Sequence, residues 1–544
     1  MRDNTSSSTI EPSPGQSSAE EWIFLALLSL AALIVMVELL SLYSTPVPDS
    51  YLWWGDESWL MIEFRTQILT GIFQHPYALG SSLAHGSGIV FDNMWVPAIL
   101  YGIPAVLISP QTMDIVLLGR TVTAVLAFTL LLVLFAIVRK LTQDRLLALF
   151  SIVLLVTSRS FLFTSHSARY DILSSLAIMV GIYVLLRIVE QPLRHWHAAL
   201  VGFVLAATLL ITIHVTLALS LATLATMIYR GKKDKWMGTP ALFVIGGILF
   251  LVLLVGITAL RSRPVFGSLG GAFALNIHDI PGLRLFSRSV QLANLLQRWH
   301  QFVEFGLGYI IVCSALVLFL VIQMVRKPSA LQIGRRAILL FLVFVCWFEL
   351  ESAAPTSYLI YVLPVLGLVA VLALEQLLPL TIRTWAIAAL SVVLAFIALR
   401  DMPGPHGKGY ELMSENYEAV GTALSQIEDA DSNFHPLVLT FNPAVHEVLR
   451  DTNVRLMTTN FVEFPGGQHS VASVLHAHHV DYALVYLSAI KPDYMREVGP
   501  ILSALDTIGT PLWERPGYFT DIGRSYFDRS LGAPDTLRLY KLHE

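Results

Sequence analysis

The sequence is poor in charged residues. Only 14% of its 544 residues are Asp, Glu, Lys or Arg, whereas 55% are hydrophobic. Soluble domains contain about 25% charged residues, so this composition excludes an ordinary soluble domain and indicates a polytopic membrane protein. The formal net charge is −4. Without an excess of basic residues we expect no nucleic-acid partner.

Other features are missing as well. Cysteine occurs only as Cys313 and Cys346, both in apolar runs, which gives no basis for a disulfide framework. The sequence contains no glycine-rich phosphate loop and no zinc-ligand spacing. It also lacks an internal repeat and the paired broken helices typical of many transporters.

Long apolar runs fill the chain from residue 22 to residue 400. A spanning helix needs about 20 mostly apolar residues. Runs that reach or approach this length lie at 22–44, 115–138, 146–165, 172–189, 196–213, 215–229, 239–260, 303–325, 337–352, 358–378 and 384–400. A further run, 94–109, contains Pro97 and Pro104 and either spans the membrane or lies along its surface.

Basic segments decide between these two topologies, because positive residues concentrate in cytoplasmic loops. The chain carries three such segments, at 139–145, 230–235 and 326–336. All three share one side with the N-terminus only if 94–109 lies on the surface. We therefore predict a polytopic α-helical fold with about 11 spanning helices. It has interfacial helices, a cytoplasmic N-terminus and an extracytoplasmic C-terminus, in a bacterial-type cytoplasmic membrane.

This topology divides the chain into three parts. Residues 1–21 are polar and Ser-rich and form a disordered cytoplasmic tail. Residues 22–400 form the transmembrane domain, with outer segments at 45–114 and 261–302. In residues 401–544, polar helical patterns alternate with β-like runs such as "PLVLTF" and "DYALVYL". This alternation predicts an extracytoplasmic α/β domain with a largely parallel sheet.

The stretch "WWGDESW" places Asp56 and Glu57 among three tryptophans, which mark the membrane–water boundary. Two interpretations are open. The acids cap the following helix, since carboxylates stabilise a helix N-terminus. Alternatively, a carboxylate held at this depth acts as an acid or base on a lipid-borne substrate.

Further candidates lie at the outer ends of the predicted helices. Arg169 and Asp171, in "SARYDIL", form either a structural salt bridge or part of a site. His214, inside an apolar run, is either an interhelical hydrogen-bonding residue or functional, because ionisable groups in spanning segments are costly. Tyr358 and Tyr361 are aromatic-belt residues, with phosphate binding as the alternative for Tyr358.

The outer loop 261–302 is basic, against the positive-inside trend, and contains no lysine. Its arginines are Arg261, Arg263, Arg284, Arg288 and Arg298. Such a cluster indicates a bound anion, with phosphate as the obvious candidate, or contact with lipid headgroups. Another cluster, in the C-terminal part, suits either a metal site or an exposed helix: His469, His476, His478 and His479.

With these motifs in order, residues 22–400 resemble a GT-C glycosyltransferase of the branch that contains bacterial aminoarabinose transferases and protein O-mannosyltransferases. An acid pair follows the first helix, Arg120 opens the second, and an Asp lies at the outer end of the third. A polar residue lies between helices five and six, and "SYLIYVLPVLGLVA" comes last. The resemblance implies Asp56 as the catalytic carboxylate, Glu57 as the acid beside it, and Asp171 as the second essential acid. We predict these substrate-binding residues: Arg120, Arg169, His214, Tyr358, Arg261, Arg263 and His85.

The resemblance also implies a reaction. Nucleotide sugars are not expected outside the cytoplasm, so the donor is a sugar on a polyprenyl phosphate, and the acceptor is a hydroxyl of a glycan, lipid or protein. Asp56 takes the acceptor proton in an inverting transfer, while fixed donors stabilise the leaving phosphate. This logic requires no metal or other cofactor, and a divalent metal stays open. A polytopic transporter and a metal-dependent oligosaccharyltransferase are the alternatives.

The predicted topology is tested by labelling single cysteines at Ser470 and Lys233, with Cys313 and Cys346 replaced by serine. A membrane-impermeant maleimide should react with the two positions from opposite sides, since Ser470 is predicted outside and Lys233 inside. Reaction of both positions from the same side would overturn the topology.

Overall fold

The computed structural model is mainly helical up to residue 401 and carries a sheet formed mostly by later residues. It describes residues 14–44, 56–70, 78–79, 95–107, 112–165, 167–190, 195–208, 211, 219–228, 238–260, 318, 321–322, 338, 359–401, 418–427, 436–440, 455–458, 471–487, 501–519 and 533–543.

Most of the predicted apolar runs are helical. In chain order the helices are α1 (Pro14–Ser44), α2 (Asp56–Thr70), α3 (Trp95–Pro97), α4 (Ile103–Leu107), α5 (Thr112–Thr142), α6 (Arg145–Val156), α7 (Arg159–Thr164), α8 (Asp171–Glu190), α9 (His195–Ala207), α10 (Leu219–Ile228), α11 (Gly238–Leu260), α12 (Leu359–Leu377) and α13 (Leu380–Asp401). A π-helical segment, Ala98–Gly102, joins α3 to α4. The runs predicted at 303–325 and 337–352 lie almost wholly outside the described residues.

Two described segments, Leu117–Thr142 in α5 and Ile360–Leu377 in α12, are long and apolar enough to cross a bilayer. Other apolar helical segments, such as Arg145–Val156 in α6 and Trp196–Ala207 in α9, are shorter. Trp95–Leu107 is also shorter than the roughly 20 residues of a spanning helix. The number of spans, their sidedness and the surface position of 94–109 remain predictions.

Helix α12 lies at the centre of the helical part. Of its apolar window 83% is buried, against 39% for α5, and it packs on α5, α6 and α8. The outward faces are apolar as well: Ile248, Leu249 and Val252 of α11 are each about half exposed. Exposed apolar faces of this kind suit contact with lipid or with another apolar surface.

One ion pair fixes the turn between α5 and α6. Asp144 Oδ1 accepts hydrogen bonds from the backbone amides of Leu146 and Leu147, at 2.8 and 3.2 Å, and so caps α6. Its Oδ2 lies 2.7 Å from Arg383 Nη2 on α13. Arg383 Nη1 also donates to the carbonyl of Glu375 at 3.4 Å, so this pair is linked to the end of α12 that is remote from Leu359.

The sheet has six strands in the order β1-β3-β2-β4-β6-β5. They are β1 (Ala78–Leu79), β2 (Leu437–Thr440), β3 (Arg455–Thr458), β4 (Tyr482–Tyr486), β5 (Gly509–Phe519) and β6 (Ala533–Leu542). Helices at 418–427, Val471–Ala477 and 501–508 alternate with the strands. The expectation of a largely parallel sheet needs correction, because β4, β6 and β5 pair antiparallel.

Two strands were not predicted. β5 contains Pro511 and Pro516, which weaken a strand pattern, but it lies at the sheet edge, where proline is tolerated. β1 belongs to the first outer segment, and it pairs in parallel with Leu456 and Met457 of β3. The segment that follows α2 is thereby joined to the C-terminal sheet.

Candidate functional site

Asp171 forms the centre of a buried polar cluster at the first residue of α8. Its Oδ2 lies 2.9 Å from Arg169 Nε, and its Oδ1 accepts a 2.8 Å hydrogen bond from the hydroxyl of Tyr361 on α12. Asp171 is 1% exposed and Arg169 is 5% exposed. The structure thus forms the salt bridge that was one interpretation of "SARYDIL", and it places that salt bridge out of contact with solvent.

Local sequence explains why the chain turns at this point. The hydroxyls of Thr164 and Ser165, at the end of α7, donate to the carbonyls of Ser160 and Leu162 at 2.6 and 3.0 Å. These bonds satisfy carbonyl oxygens of the last turn of α7. The carboxylate of Asp171 then occupies the N-terminus of α8, where the helix dipole stabilises negative charge.

A second bond joins α8 to the same end of α12. The Ser175 hydroxyl donates to the carbonyl of Ile360 at 3.0 Å, one residue before Tyr361. The two helices are therefore fixed both through side chains and through backbone at the level of Asp171. This register determines which tyrosine of "SYLIYVLP" reaches the carboxylate.

Tyr101, in the π-helical segment, supports the turn from the other side. Its hydroxyl donates to the carbonyl of Arg169 at 2.9 Å and lies 3.0 Å from the hydroxyl of Thr123 on α5. Burial raises the pKa of Tyr101, and the negative charge of Asp171 acts in the same direction. The phenol therefore stays protonated at physiological pH and remains a hydrogen-bond donor.

Two glycines allow the helices to approach the site closely. A Cβ at Gly119 of α5 would lie 2.6 Å from Met61 Sδ on α2 and 2.7 Å from the Ala168 Cβ. A Cβ at Gly102 would lie 2.5 Å from the carbonyl oxygen of Phe64. A larger residue at Gly119 would push α2 away from the turn that carries Arg169, and a larger residue at Gly102 would push α2 away from the π-helical segment.

The predicted acid pair begins a helix that packs on this cluster. α2 starts at Asp56 and buries Leu60, Met61 and Phe64 against the π-helical segment and α5. This apolar face of α2 therefore packs on protein. Helix capping and catalysis both stay open for Asp56 and Glu57.

Arg120 is 4% exposed and lies on α5 directly after Gly119. It does not open its helix as predicted, because α5 begins at Thr112. The remaining predicted substrate-binding residues lie outside the described residues: His85, His214, Tyr358, Arg261 and Arg263.

The structure also contains functional candidates that sequence reasoning missed. Tyr361 was assigned to the aromatic belt and Tyr358 to the site, yet Tyr361 binds Asp171. Tyr101 and Thr123 were not considered. Two sequence features could have indicated these residues: Tyr361 follows Tyr358 by three residues, and Tyr101 precedes Gly102 in a run interrupted by proline.

The histidine cluster was predicted to be either a metal site or an exposed helix. His476 lies exposed near the end of the helix Val471–Ala477, and with His543 it lines a groove of about 620 Å³. Within the described side chains, no three His, Cys, Asp or Glu residues come together as metal ligands. Metal dependence of the protein stays a prediction in either direction.

Comparison with known proteins gives a fold but no close relative. No protein-family model and no curated protein matches the chain. Among solved structures, ArnT from Cupriavidus metallidurans bound to undecaprenyl phosphate matches with a TM-score of 0.51 at 13% identity, over 95% of this chain and 98% of ArnT. Apo ArnT gives a TM-score of 0.49 at 12% identity, over 96% and 98%. An Archaeoglobus fulgidus oligosaccharyltransferase in complex with Zn and sulfate gives 0.46 at 12%, over 88% and 70%.

The match to undecaprenyl-phosphate-bound ArnT extends over nearly the whole length of both chains. The chain therefore has the GT-C fold, and the resemblance that its motifs predict is confirmed at the level of the fold. At 13% identity the likeness does not assign a substrate.

Substitutions at the cluster should differ in their effect on stability. Asp171→Ala removes the carboxylate from the buried Arg169 guanidinium and should cost about 3–5 kcal/mol. Tyr361→Phe removes one hydrogen bond, keeps the ring, and should cost about 1 kcal/mol. Denaturation of the detergent-solubilised variants would measure both. Equal stability of Asp171→Ala and the wild type would contradict the buried ion pair.

Proposed function

We propose that the protein is a GT-C glycosyltransferase that moves a sugar from a polyprenyl-phosphate donor to an acceptor hydroxyl at the extracytoplasmic face of the membrane. The fold shared with ArnT supports this proposal, and the ArnT structure was determined with undecaprenyl phosphate bound. The acceptor is a glycan, lipid or protein, and membrane lipids surround the helical part.

The observation that carries the proposal is the buried Arg169–Asp171–Tyr361 cluster at the N-terminal ends of α8 and α12. A buried ion pair contributes little net stability, because desolvation of both charges offsets their attraction. The presence of such a pair among apolar helices therefore favours a functional role over a purely stabilising one. Clusters of ionisable groups among apolar helices are candidates for function by default.

The geometry separates the roles of the two predicted acids. Both oxygens of Asp171 already have hydrogen-bond partners, and its side chain is 1% exposed. Asp171 is therefore suited to orient Arg169 rather than to take a proton from an acceptor. Asp56 begins α2 about 8 Å along the helix axis from Met61, which contacts the site. We assign the general base to Asp56, with Glu57 in a supporting role.

The reaction follows from these roles. The acceptor oxygen attacks the anomeric carbon of the sugar, and its proton passes to the carboxylate of Asp56. The bond from the anomeric carbon to the phosphate oxygen breaks, so that polyprenyl phosphate leaves with the electron pair and the configuration inverts. Fixed positive charge stabilises the leaving phosphate. Arg120 and Arg169 are the described candidates for this contact, and Arg261, Arg263, His214, Tyr358 and His85 remain proposed ligands.

The function is tested with purified protein and a radiolabelled polyprenyl-phosphate sugar in vesicles, with and without a metal chelator. We expect release of polyprenyl phosphate in both conditions. Loss of release with chelator would favour a metal-dependent transferase. Movement of intact donor across the bilayer without cleavage would favour a transporter and contradict the proposal.

Asp56→Asn is expected to be the most damaging conservative change, because it keeps the shape of the side chain and removes the base. Turnover should fall by about 10²–10⁴-fold while donor binding is nearly intact. Glu57→Gln is the matched control and should lose less. If Asp56→Asn turns over normally and Glu57→Gln is inactive, Glu57 is the general base and Asp56 has the supporting role. If both variants are active, Asp56 and Glu57 only cap the helix and the proposed catalytic role is wrong.

A further inference from the structure

Tyr101 contacts both parts of the proposed site and belongs to neither. It is completely buried, and its hydroxyl donates to the carbonyl of Arg169, a residue 68 positions away in the chain. Its ring stacks on Phe64 of α2, with 5.8 Å between ring centroids and 25° between planes. One side chain thus joins the helix that begins at Asp56 to the turn that carries Arg169 and Asp171.

The hydroxyl group of Tyr101 lies among specific hydrogen-bond partners. A ring that only fills the core needs no hydroxyl, and phenylalanine would fill the same volume. The Tyr101 hydroxyl donates to the Arg169 carbonyl and lies 3.0 Å from the Thr123 hydroxyl. The single proton of Thr123 is within reach of both the Tyr101 oxygen and the carbonyl of Gly119, the latter at 3.1 Å. Gly119 is the point where α5 contacts Met61 and Ala168. The hydrogen bonds therefore converge where α2, α5 and the turn before α8 meet.

The backbone around Tyr101 is also unusual. The residues Ala98–Gly102 are π-helical, between the short helices α3 and α4. Single π-helical turns interrupt regular helices and are frequent at functional sites. The irregular turn belongs to the segment that brings the Tyr101 hydroxyl to the Arg169 carbonyl.

We propose that Tyr101 is a positioning residue that sets the relative placement of α2 and the Arg169–Asp171 turn. The proposal rests on the proposed function, because it assigns Tyr101 to the alignment of Asp56 with the cluster around Asp171. Tyr101 contacts no reacting atom. It acts through the Arg169 carbonyl on one side and through the Phe64 ring on the other.

The test compares Tyr101→Phe with Tyr183→Phe in the intact, vesicle-reconstituted protein. Tyr183 lies on α8 about 18 Å along the helix axis from Asp171, and its hydroxyl accepts a 2.9 Å hydrogen bond from Arg187. Tyr101→Phe should lower kcat about tenfold and leave the donor KM unchanged, as expected for a lost alignment contact. Tyr183→Phe should leave both constants unchanged. An unchanged kcat of Tyr101→Phe would overturn the proposal.

A double variant separates positioning from a general loss of stability. Tyr361→Phe removes the hydrogen bond to Asp171 from the other side, so both tyrosines belong to one network. Effects within a network are not additive, and the kcat loss of the double variant should differ from the product of the single losses. Simple multiplication of the two factors would contradict a role through Arg169 and Asp171.

Hydrogen–deuterium exchange gives a readout that needs no activity. The amides of Arg169 and Ser174 are bonded to the carbonyls of Ser167 and Tyr170 at 2.7 and 2.9 Å. Peptides that cover 167–175 should exchange faster in Tyr101→Phe and unchanged in Tyr183→Phe. If the wild type releases no polyprenyl phosphate, the proposed function fails and the exchange data alone decide on Tyr101. Unchanged exchange in Tyr101→Phe would overturn the positioning role.

Discussion

The buried ion pair between Arg169 and Asp171 is the interaction on which the rest of the site depends. Moving both charges out of water costs several kcal/mol for each ion, so the pair persists only where its surroundings complete its hydrogen bonds. Tyr361 donates a hydrogen bond to the second carboxylate oxygen of Asp171, and Tyr101 donates one to the backbone carbonyl of Arg169. The pair therefore requires α12, the π-helical segment and α8 to meet at one level.

This requirement explains how a fold of apolar helices produces a defined site. Apolar packing alone tolerates small shifts of one helix along another, whereas a charged hydrogen bond near 2.9 Å does not. The Asp144–Arg383 pair fixes the remote end of α12, and Ser175 fixes its near end. Gly102 and Gly119 then allow α2 to pack closely, through Phe64 on the π-helical segment and through Met61 on α5.

Sequence reasoning predicted the parts that depend on short-range patterns. The apolar runs gave most helices, "PLVLTF" and "DYALVYL" are strands, and the motif order gave the GT-C fold. The missed parts depend on long-range register. Only the packing of α12 on α8 decides that Tyr361 reaches Asp171, and Tyr101 acts on a carbonyl 68 residues away. β5 is not evident from the sequence because it contains two prolines, which weaken a strand pattern although an edge strand tolerates them.

The proposed site is best tested by cryo-electron microscopy of the protein with undecaprenyl phosphate. We expect density for the phosphate beside the Arg169–Asp171–Tyr361 cluster, within reach of Arg120 or Arg169, and between that cluster and the N-terminus of α2. Phosphate density at the opposite end of α8, near Lys140 and Arg187, with the cluster unchanged, would contradict it.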